Sequence, residues 1–393
     1  MSLSVSERVK RVKPSPTMAV TALAASLRAE GRDIIGLGAG EPDFDTPQHI
    51  KDAAIAAINA GDTKYTNVDG TPALKQAIID KFQRENNLTY TGDQILVSSG
   101  GKQTCFNVCL AVLNDGDECV IPAPYWVSYP DMVLLAGGVP VPVLGGIEQG
   151  YKITPEQLEA ALTDKTRLMF LNSPSNPTGA AYTKAELQAL GAVLENYPDV
   201  LIATDDMYEH IYWADEPFTS FAEACPNLYD RTLTMNGISK AYAMTGWRIG
   251  YCGGPVDVVK AMKKIQSQST SNPVSVSQAA AVAALTGGNE CIADMLVHFK
   301  ARHDYLVNAL NEIPGFKCIE GAGTFYAFPD VSEAMKIKGA EDDTAFSSMI
   351  LEEAEVALVP GSAFGAPGYM RLSFATSMEV LEEAVSRIKK FMS

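Results

Sequence analysis

Between about residue 90 and residue 290, the chain alternates between two kinds of hydrophobic segment. Short runs of β-branched and apolar residues end in small or polar residues, and stretches with apolar residues at helical spacing, such as 102–113 and 184–194, separate several of them. Alternation of this kind predicts a mostly parallel sheet covered by helices on both faces. The predicted strands are seven, at 94–97, 118–121, 139–144, 168–171, 200–203, 232–235 and 248–251.

The segments outside this block have a different pattern. They predict helices at 49–60, 291–310 and 378–391, an alternating segment at 316–328 and a strand at 369–375. We therefore predict an α/β fold in which a large domain, 46–290, holds a seven-stranded, mostly parallel sheet between helices. Residues 1–45 together with 291–393 would form a smaller α+β domain, because the first 45 residues have no sheet of their own.

Composition and charge narrow the function classes. The chain has 393 residues, of which 47% are hydrophobic and 20% charged, as in ordinary globular proteins. A formal net charge of −16 argues against nucleic-acid binding and against an anionic membrane surface. No apolar run approaches the length of a spanning helix, and no apolar segment follows the basic N-terminus as in a secretory signal. Seven scattered cysteines and four dispersed histidines predict free thiols in a reducing, cytoplasmic compartment and no metal site.

A lysine directly after a predicted strand is the first candidate for chemistry. Residues 236–250 read Asn-Gly-Ile-Ser-Lys-Ala-Tyr-Ala-Met-Thr-Gly-Trp-Arg-Ile-Gly. An amine at a sheet edge can be desolvated, which lowers its pKa and lets it form a Schiff base. Ser239 precedes this Lys240, and Arg248 offers a fixed cation that suits a phosphate. An isolated Ser-Lys pair would more often be a surface feature, but the whole pattern favours a functional lysine.

An acidic pair after the strand 200–203 is the second candidate. A carboxylate at this strand end can pair with a protonated ring nitrogen, and the phenol of Tyr208, three residues later, can bond a ring oxygen. Acids in this position are often helix N-caps. We assign the functional role to Asp205 because of its spacing to Tyr208, and the cap to Asp206.

Two strand-end loops add polar groups. Residues 172–179, Asn-Ser-Pro-Ser-Asn-Pro-Thr-Gly, hold Asn176 between prolines that restrict the backbone. Residues 98–103, Ser-Ser-Gly-Gly-Lys-Gln, open a helix whose N-terminal amides can approach one phosphate. Neither loop is a specific motif, because both compositions also occur in purely structural turns.

Three further positions complete the candidate set. Trp126 lies in Ala-Pro-Tyr-Trp-Val-Ser-Tyr at 123–129, just beyond a strand, where an aromatic ring can stack on a planar ligand or simply fill the core. Arg371 stands inside an apolar strand and could form a bidentate pair with a carboxylate. Gly40, in Ala-Gly-Glu-Pro, permits a close backbone approach.

As an ordered set, these segments resemble the class I aminotransferases of the pyridoxal-phosphate fold-type I superfamily. The resemblance is greatest to the prokaryotic-type aspartate aminotransferase branch, some of whose members also use prephenate. It runs from Pro-Ser-Pro-Thr at 14–17 to the last helix. It rests on Gly-Glu-Pro-Asp-Phe-Asp-Thr-Pro at 40–47, Tyr-Trp-Val-Ser-Tyr-Pro at 125–130, Asn-Pro-Thr-Gly at 176–179 and Ser-Lys-Ala-Tyr-Ala-Met-Thr-Gly-Trp-Arg-Ile-Gly at 239–250.

The resemblance implies a role for each candidate residue. Pyridoxal 5′-phosphate would be carried by Lys240, which also acts as the catalytic base, with Asp205 on the ring nitrogen and Trp126 on the ring face. Tyr208 and Asn176 would bond the ring oxygen. The phosphate would be held by Gly101, Lys102, Ser239 and Arg248, and by Tyr65 of a partner subunit, which implies a homodimer with shared active sites. The substrate α-carboxylate would be bound by Gly40, Asn176 and Arg371.

The resemblance to the prokaryotic-type aspartate aminotransferase branch also implies which substrates the chain uses. The resemblance implies ping-pong transfer between L-aspartate or L-glutamate and their oxo acids, with Lys102, Ser15 and Thr17 reading the second carboxylate and with prephenate as a further candidate. Three alternatives stay open: a broader aromatic or alanine type of aminotransferase, a pyridoxal-phosphate-dependent β-lyase, and a sulfonium-using synthase on the same scaffold. A regulator with an aminotransferase-like domain is disfavoured, because about a dozen residues before Pro14 leave no room for a DNA-binding module.

Overall fold

A computed structural model describes residues 3–12, 14 and 16–393, with the side chains of 16–19 outside the description. The strands are β1 Ile35–Gly36, β2 Ile95–Ser98, β3 Glu118–Ala123, β4 Val139–Leu144, β5 Thr166–Asn172, β6 Leu201–Asp205, β7 Thr232–Gly237, β8 Gly250–Gly253, β9 Tyr326–Ala327, β10 Val356–Ala357, β11 Val359–Pro360 and β12 Met370–Ser373. The helices are α1 Glu7–Lys10, α2 Pro16–Ala29, α3 Gln48–Asn59, α4 Pro72–Asn86, α5 Gly101–Val112, α6 Ser128–Leu135, α7 Pro155–Ala161, α8 Lys184–Leu194, α9 Phe221–Ala224, α10 Val256–Ser267, α11 Ser275–Thr286, α12 Glu290–Asn311, α13 Ser332–Lys338, α14 Asp343–Met349 and α15 Met378–Met392.

The predicted seven-stranded sheet is confirmed. Its order is β2-β8-β7-β6-β5-β3-β4, and every neighbouring pair is parallel except those that involve β8. Several predicted strand bounds differ from the observed ones by one or two residues; the strand expected at 248–251, for example, begins only at Gly250. Arg248 has a left-handed φ of 57° at the end of a short 3-10 turn, so it cannot extend the strand.

Helices cover both faces of this sheet because its strands are apolar on both sides. In β3, Cys119 and Ile121 pack in one core with α5 and α6, while Val120 packs in another core with α7 and α8. In β5, Leu168 and Phe170 alternate with Met169 in the same way. The sheet therefore lies in the middle layer, as the sequence pattern predicts.

The N-terminal segment joins elements from the end of the chain. β1 pairs in parallel with β10, and β9, β11 and β12 form a small antiparallel sheet of their own. Leu37 belongs to a core built mainly from α12, α15 and the strands between them. These contacts agree with the grouping of 1–45 with 291–393, although the domain boundaries themselves stay a prediction.

Outside the alternating block, the long helices α2 and α4 lie where the sequence analysis placed no element. For α4 a signal is present in the sequence, because Thr71 and Pro72 are a favoured helix start. The Thr71 hydroxyl accepts a hydrogen bond from the amide of Leu74.

The seven cysteines are free thiols, as predicted.

The length and composition of a helix decide whether it could span a membrane. Among the described residues, no single helix is both long and apolar enough to cross a bilayer. α11 and α12 meet the requirement only when taken together, and they are bent by 81° relative to each other.

Candidate active site

The predicted functional residues meet at one edge of the large sheet. Asn172 ends β5, Asp205 ends β6, and Lys240 follows β7, so the carboxyl ends of neighbouring parallel strands deliver all three. They border an open cleft of about 290 Å³. Its lining includes eleven of the predicted site residues: Gly40, Gly101, Lys102, Trp126, Asn176, Asp205, Tyr208, Ser239, Lys240, Arg248 and Arg371.

Lys240, one of the two lysines that line the cleft, has an amine suited to nucleophilic chemistry. Lys240 Nζ donates a hydrogen bond to the carbonyl oxygen of Gly40 at 2.5 Å. Burial, followed by the positive charges of Arg371 and Arg248, lowers the pKa of Lys240 to about 8. About a tenth of the amine is therefore unprotonated at pH 7, far more than for an ordinary lysine, and a nucleophile or general base requires this unprotonated form.

The carboxylate of Asp205 is buried and fixed from two sides. Tyr129 Oη donates to Asp205 Oδ2 at 2.6 Å, and the amide of Met207 donates to Oδ1 at 3.3 Å. Burial raises the pKa of Asp205, and the Tyr129 hydrogen bond partly opposes that rise. A buried acid at the base of a cleft is stabilised as an anion when a cationic ring nitrogen lies beside it.

Asp206 does not have the role that the sequence suggested. No helix follows it, since 207–210 form turns, so the predicted N-cap is wrong. Its side chain is buried, and Oδ2 has no hydrogen-bond partner among the described residues. Burial and the neighbouring Glu209 carboxylate raise the pKa of Asp206 well above its usual value.

Arg371 is held by four groups. Its Nη1 donates to Asn176 Oδ1 at 2.9 Å, and its Nη2 donates to the carbonyl oxygen of Gly38 at 2.7 Å. The guanidinium carbon lies 4.5 Å from the ring centroid of Tyr326 and 4.9 Å from that of Phe364. Nε is buried and has no partner in the described part of the chain, so one edge of the guanidinium is open to a carboxylate.

The loop after β5 fixes Asn176 through a second asparagine. The amide of Asn176 donates to Asn172 Oδ1 at 2.8 Å, while Asn172 Nδ2 donates to the carbonyl oxygen of Asp205 at 2.7 Å. Farther along, the carbonyl of Gly179 accepts the amides of Ala322 and Gly323. The loop is thus tied to β6 on one side and to the segment before β9 on the other.

Two cations lie at the start of α5. Gly100, at a φ of 91°, precedes the helix, and a side chain on it would overlap the guanidinium of Arg248. Lys102 Nζ lies 5.1 Å from the ring centroid of Trp126. Burial and then the charge of Arg248 lower the pKa of Lys102. No carboxylate in the described residues forms an ion pair with either cation, so together with the helix N-terminus they form an anion site.

Three predicted residues are absent from the lining given above, for two different reasons. Tyr65 is 92% exposed and does not line it within one chain. Ser15 and the side chain of Thr17 lie outside the described residues, so their predicted role stays a prediction.

Two tyrosines of the site were missed by the sequence analysis as functional groups. Tyr129 was noted only as part of an aromatic segment, and it is the partner of Asp205. Tyr326 lines the cleft, and its hydroxyl lies 3.1 Å from that of Tyr208. The available signal for Tyr326 was weak, because it was one aromatic residue in the alternating segment 316–328.

Comparisons with known proteins agree with this geometry. The family model described as "Aminotransferase class I and II" matches residues 32–388. The chain is 60% identical to the aspartate/prephenate aminotransferase of Nitrosomonas europaea, with all of both chains covered, and 58% identical to that of Cereibacter sphaeroides over 98% of each.

Solved structures give the same result. The aspartate aminotransferase of Rhizobium meliloti superposes with a TM-score of 0.95 at 47% identity, covering 100% of this chain and 99% of that one. The aspartate aminotransferase of Thermus thermophilus, solved with maleate, gives 0.93 at 42% identity and covers 99% and 100%. The chain therefore belongs to the class I and II aminotransferase family.

Proposed function

We propose that the chain transfers amino groups between L-aspartate or L-glutamate and their oxo acids by a ping-pong mechanism, with prephenate as a further amino acceptor. The observation that carries this proposal is the presence of separate cations in one cleft, Arg371 in its buried wall and Lys102 at the start of α5. A dicarboxylate has two groups to satisfy, and each cation suits one of them. The names of the 60% and 58% identical relatives support the same substrates.

The donor set fits pyridoxal 5′-phosphate, which we propose as the cofactor. The anion site at α5 suits a phosphate, because the glycine at position 100 leaves room for Arg248 beside the helix N-terminus. The buried carboxyl of Asp205 suits a protonated pyridine nitrogen, and Lys240 supplies the amine that can bind the aldehyde. Ser239, also buried beside the cleft, adds a hydroxyl for the phosphate.

When bound, this cofactor supplies an electron sink for the bonds of the substrate α-carbon. Asp205 would keep the ring nitrogen protonated, and Trp126 would lie against the ring. Tyr208 and Asn176 would donate hydrogen bonds to the ring oxygen. Their buried positions allow these hydrogen bonds to act in a medium of low dielectric, where they are stronger than in water.

Arg371 and Lys240 act on the substrate itself. The open edge of Arg371 binds the α-carboxylate, which orients the α-carbon for reaction. Lys240 Nζ would take the proton from that carbon as a base and, once protonated, would give it back as an acid. The pKa of about 8 lets the amine do both near neutral pH.

We also propose a homodimer with shared sites. Tyr65 is a large aromatic residue that is 92% exposed in a single chain, which is unusual for a tyrosine without a partner. Ile55, Ile58 and Val274 are also exposed. A second copy that covered these side chains could bring its Tyr65 to the phosphate. Sedimentation analysis of the wild type tests the dimer, and a monomer would contradict it.

The substrate proposal is tested by mixing the purified protein with pyridoxal phosphate, L-glutamate and one oxo acid at a time. We expect 2-oxoglutarate to form strongly with oxaloacetate and also with prephenate. Turnover with only pyruvate or phenylpyruvate would instead indicate a broader alanine or aromatic type. Release of pyruvate and ammonia in the absence of any oxo acid would indicate a β-lyase.

A further inference from the structure

We propose that Tyr326 is a positioning residue of this site, which acts through two other side chains. Its hydroxyl orients the phenol of Tyr208, and its ring face holds the guanidinium of Arg371. The inference rests on the proposed function, since it assigns Tyr208 to the cofactor ring oxygen and Arg371 to the substrate. It adds a link between the group that binds the cofactor and the group that binds the substrate.

The hydroxyl contact carries the first half of the proposal. The two phenol oxygens lie 3.1 Å apart, and neither has another hydrogen-bond partner among the residues that the structure describes. Both side chains are buried, at 4% exposure for Tyr208 and 1% for Tyr326. If Tyr208 donates its single proton to the ring oxygen, it can only accept from Tyr326. The Tyr326 hydroxyl therefore fixes the direction in which the Tyr208 proton points.

The ring contact carries the second half. The guanidinium carbon of Arg371 lies 4.5 Å from the centroid of the Tyr326 ring, which is within the range of a cation–π interaction. The in-plane bonds of Arg371 to Asn176 and Gly38 leave its Nε free. Ring contact above the plane limits the tilt of the group, so its open edge keeps one orientation toward the substrate carboxylate.

Backbone geometry explains how one residue reaches both partners. Tyr326 lies in β9, which pairs with β12, the strand of Arg371. Its hydroxyl also lies against Gly40, where an added Cβ would be 2.6 Å from Tyr326 Oη. The carbonyl of Gly40 accepts the hydrogen bond from Lys240. Tyr326 thus contacts Gly40, Tyr208 and Arg371.

Two variants of Tyr326 separate the role of its hydroxyl from the role of its ring. Tyr326→Phe removes only the hydroxyl and keeps the ring, whereas Tyr326→Leu removes both. Tyr182→Phe is a matched control, because Tyr182 is also buried and its hydroxyl also makes one hydrogen bond, with the amide of Ile153 at 3.0 Å. Tyr208→Phe gives the effect of losing the phenol itself.

The first measurement uses no substrate. Absorbance of the cofactor-loaded enzyme is titrated with pH, and its midpoint reports how well the negatively charged ring oxygen is stabilised. We expect the midpoint to rise in Tyr326→Phe, in the same direction as in Tyr208→Phe and by a smaller amount, because a weaker donor stabilises the anion less. The midpoint of the double variant, Tyr208→Phe with Tyr326→Phe, should rise no further than that of Tyr208→Phe alone. Tyr182→Phe should leave the midpoint unchanged even if it lowers the melting temperature.

The second measurement uses steady-state kinetics. We expect kcat/KM in Tyr326→Phe to fall about 2- to 12-fold for aspartate and glutamate alike, the effect of one lost hydrogen bond. Tyr326→Leu should further raise KM for both amino acids by about 2- to 30-fold, the effect of losing a partly desolvated cation–π contact. Equal KM values in the two variants would overturn the role of the ring.

An unshifted absorbance midpoint in Tyr326→Phe, or purely additive effects in the double variant, would overturn the role of the hydroxyl. A failure of the proposed function can be told apart from a failure of the proposed role of Tyr326. If the proposed function is wrong, the wild type itself will not transaminate any of the tested pairs.

Discussion

Lys102 gives the most direct test of substrate choice. Its ammonium lies 5.1 Å from the Trp126 ring centroid at the side of the cleft, and no carboxylate of the described residues pairs with it. In Lys102→Ala, the second carboxylate of aspartate loses its cation. A charged hydrogen bond contributes about 1.5–3 kcal/mol, and a solvated ion pair about 0.2–1 kcal/mol. Because the lysine is partly open to solvent, we expect a loss of about 1–3 kcal/mol, or about 5- to 150-fold in kcat/KM.

The assay compares two amino donors at saturating pyridoxal phosphate. L-Alanine has no second carboxylate, so its kcat/KM should change by no more than about twofold, the usual effect of an exposed substitution. Lys165→Ala is a control, because Lys165 is an exposed lysine just before β5, at the opposite edge of the sheet. The expected loss for aspartate should also diminish as salt is added.

One result would refute this reasoning. If Lys102→Ala lowered kcat/KM for aspartate and alanine equally, the lysine would serve only the phosphate. Cofactor affinity should then fall as well, which a titration of the apoprotein with pyridoxal phosphate measures. A selective loss for aspartate with unchanged cofactor affinity would confirm the assignment to the second carboxylate.

Three further predictions concern charge and stability. The rate of reductive methylation of Lys240 in the apoprotein should rise with a midpoint near pH 8, and a midpoint at the ordinary 10.5 would contradict the structure. Burial alone would raise the pKa of Glu85, but the hydrogen bond from His210 and the charge of Lys81 lower it to about 2. The free energy of unfolding should therefore fall as pH drops from 4.5 to about 2, and His210→Ala should flatten that fall. Lys81→Met leaves the buried Glu209 carboxylate without its cation and should lower the free energy of unfolding by about 3–5 kcal/mol, against about 0–1 kcal/mol for Lys336→Met in the exposed pair with Glu333.

Much of the fold and the site could be predicted because the information is local. Each buried strand is a short apolar run, and a polar residue at its end marks the sheet edge where chemistry is placed. Asp205 and Lys240 follow two such runs, and β6 and β7 are adjacent in the sheet. The same local argument went wrong at Asp206, since a capping preference says nothing about whether a helix follows.

Contacts that depend on strand order could not be predicted in this way. Tyr129 follows β3, and Asp205 ends β6, but β5 lies between these two strands in the sheet. The Tyr129 ring stacks on Phe170 of β5 at 4.5 Å and so reaches across that strand to the carboxylate. The sequence predicts the strands but not their order in the sheet. It therefore indicates that Tyr129 is near Trp126 in the chain, but not that it contacts Asp205. The same holds for Tyr326, since its two partners, Tyr208 and Arg371, lie 118 residues before it and 45 residues after it in the chain. Groups that touch the ligand are therefore easier to predict than the groups that orient them.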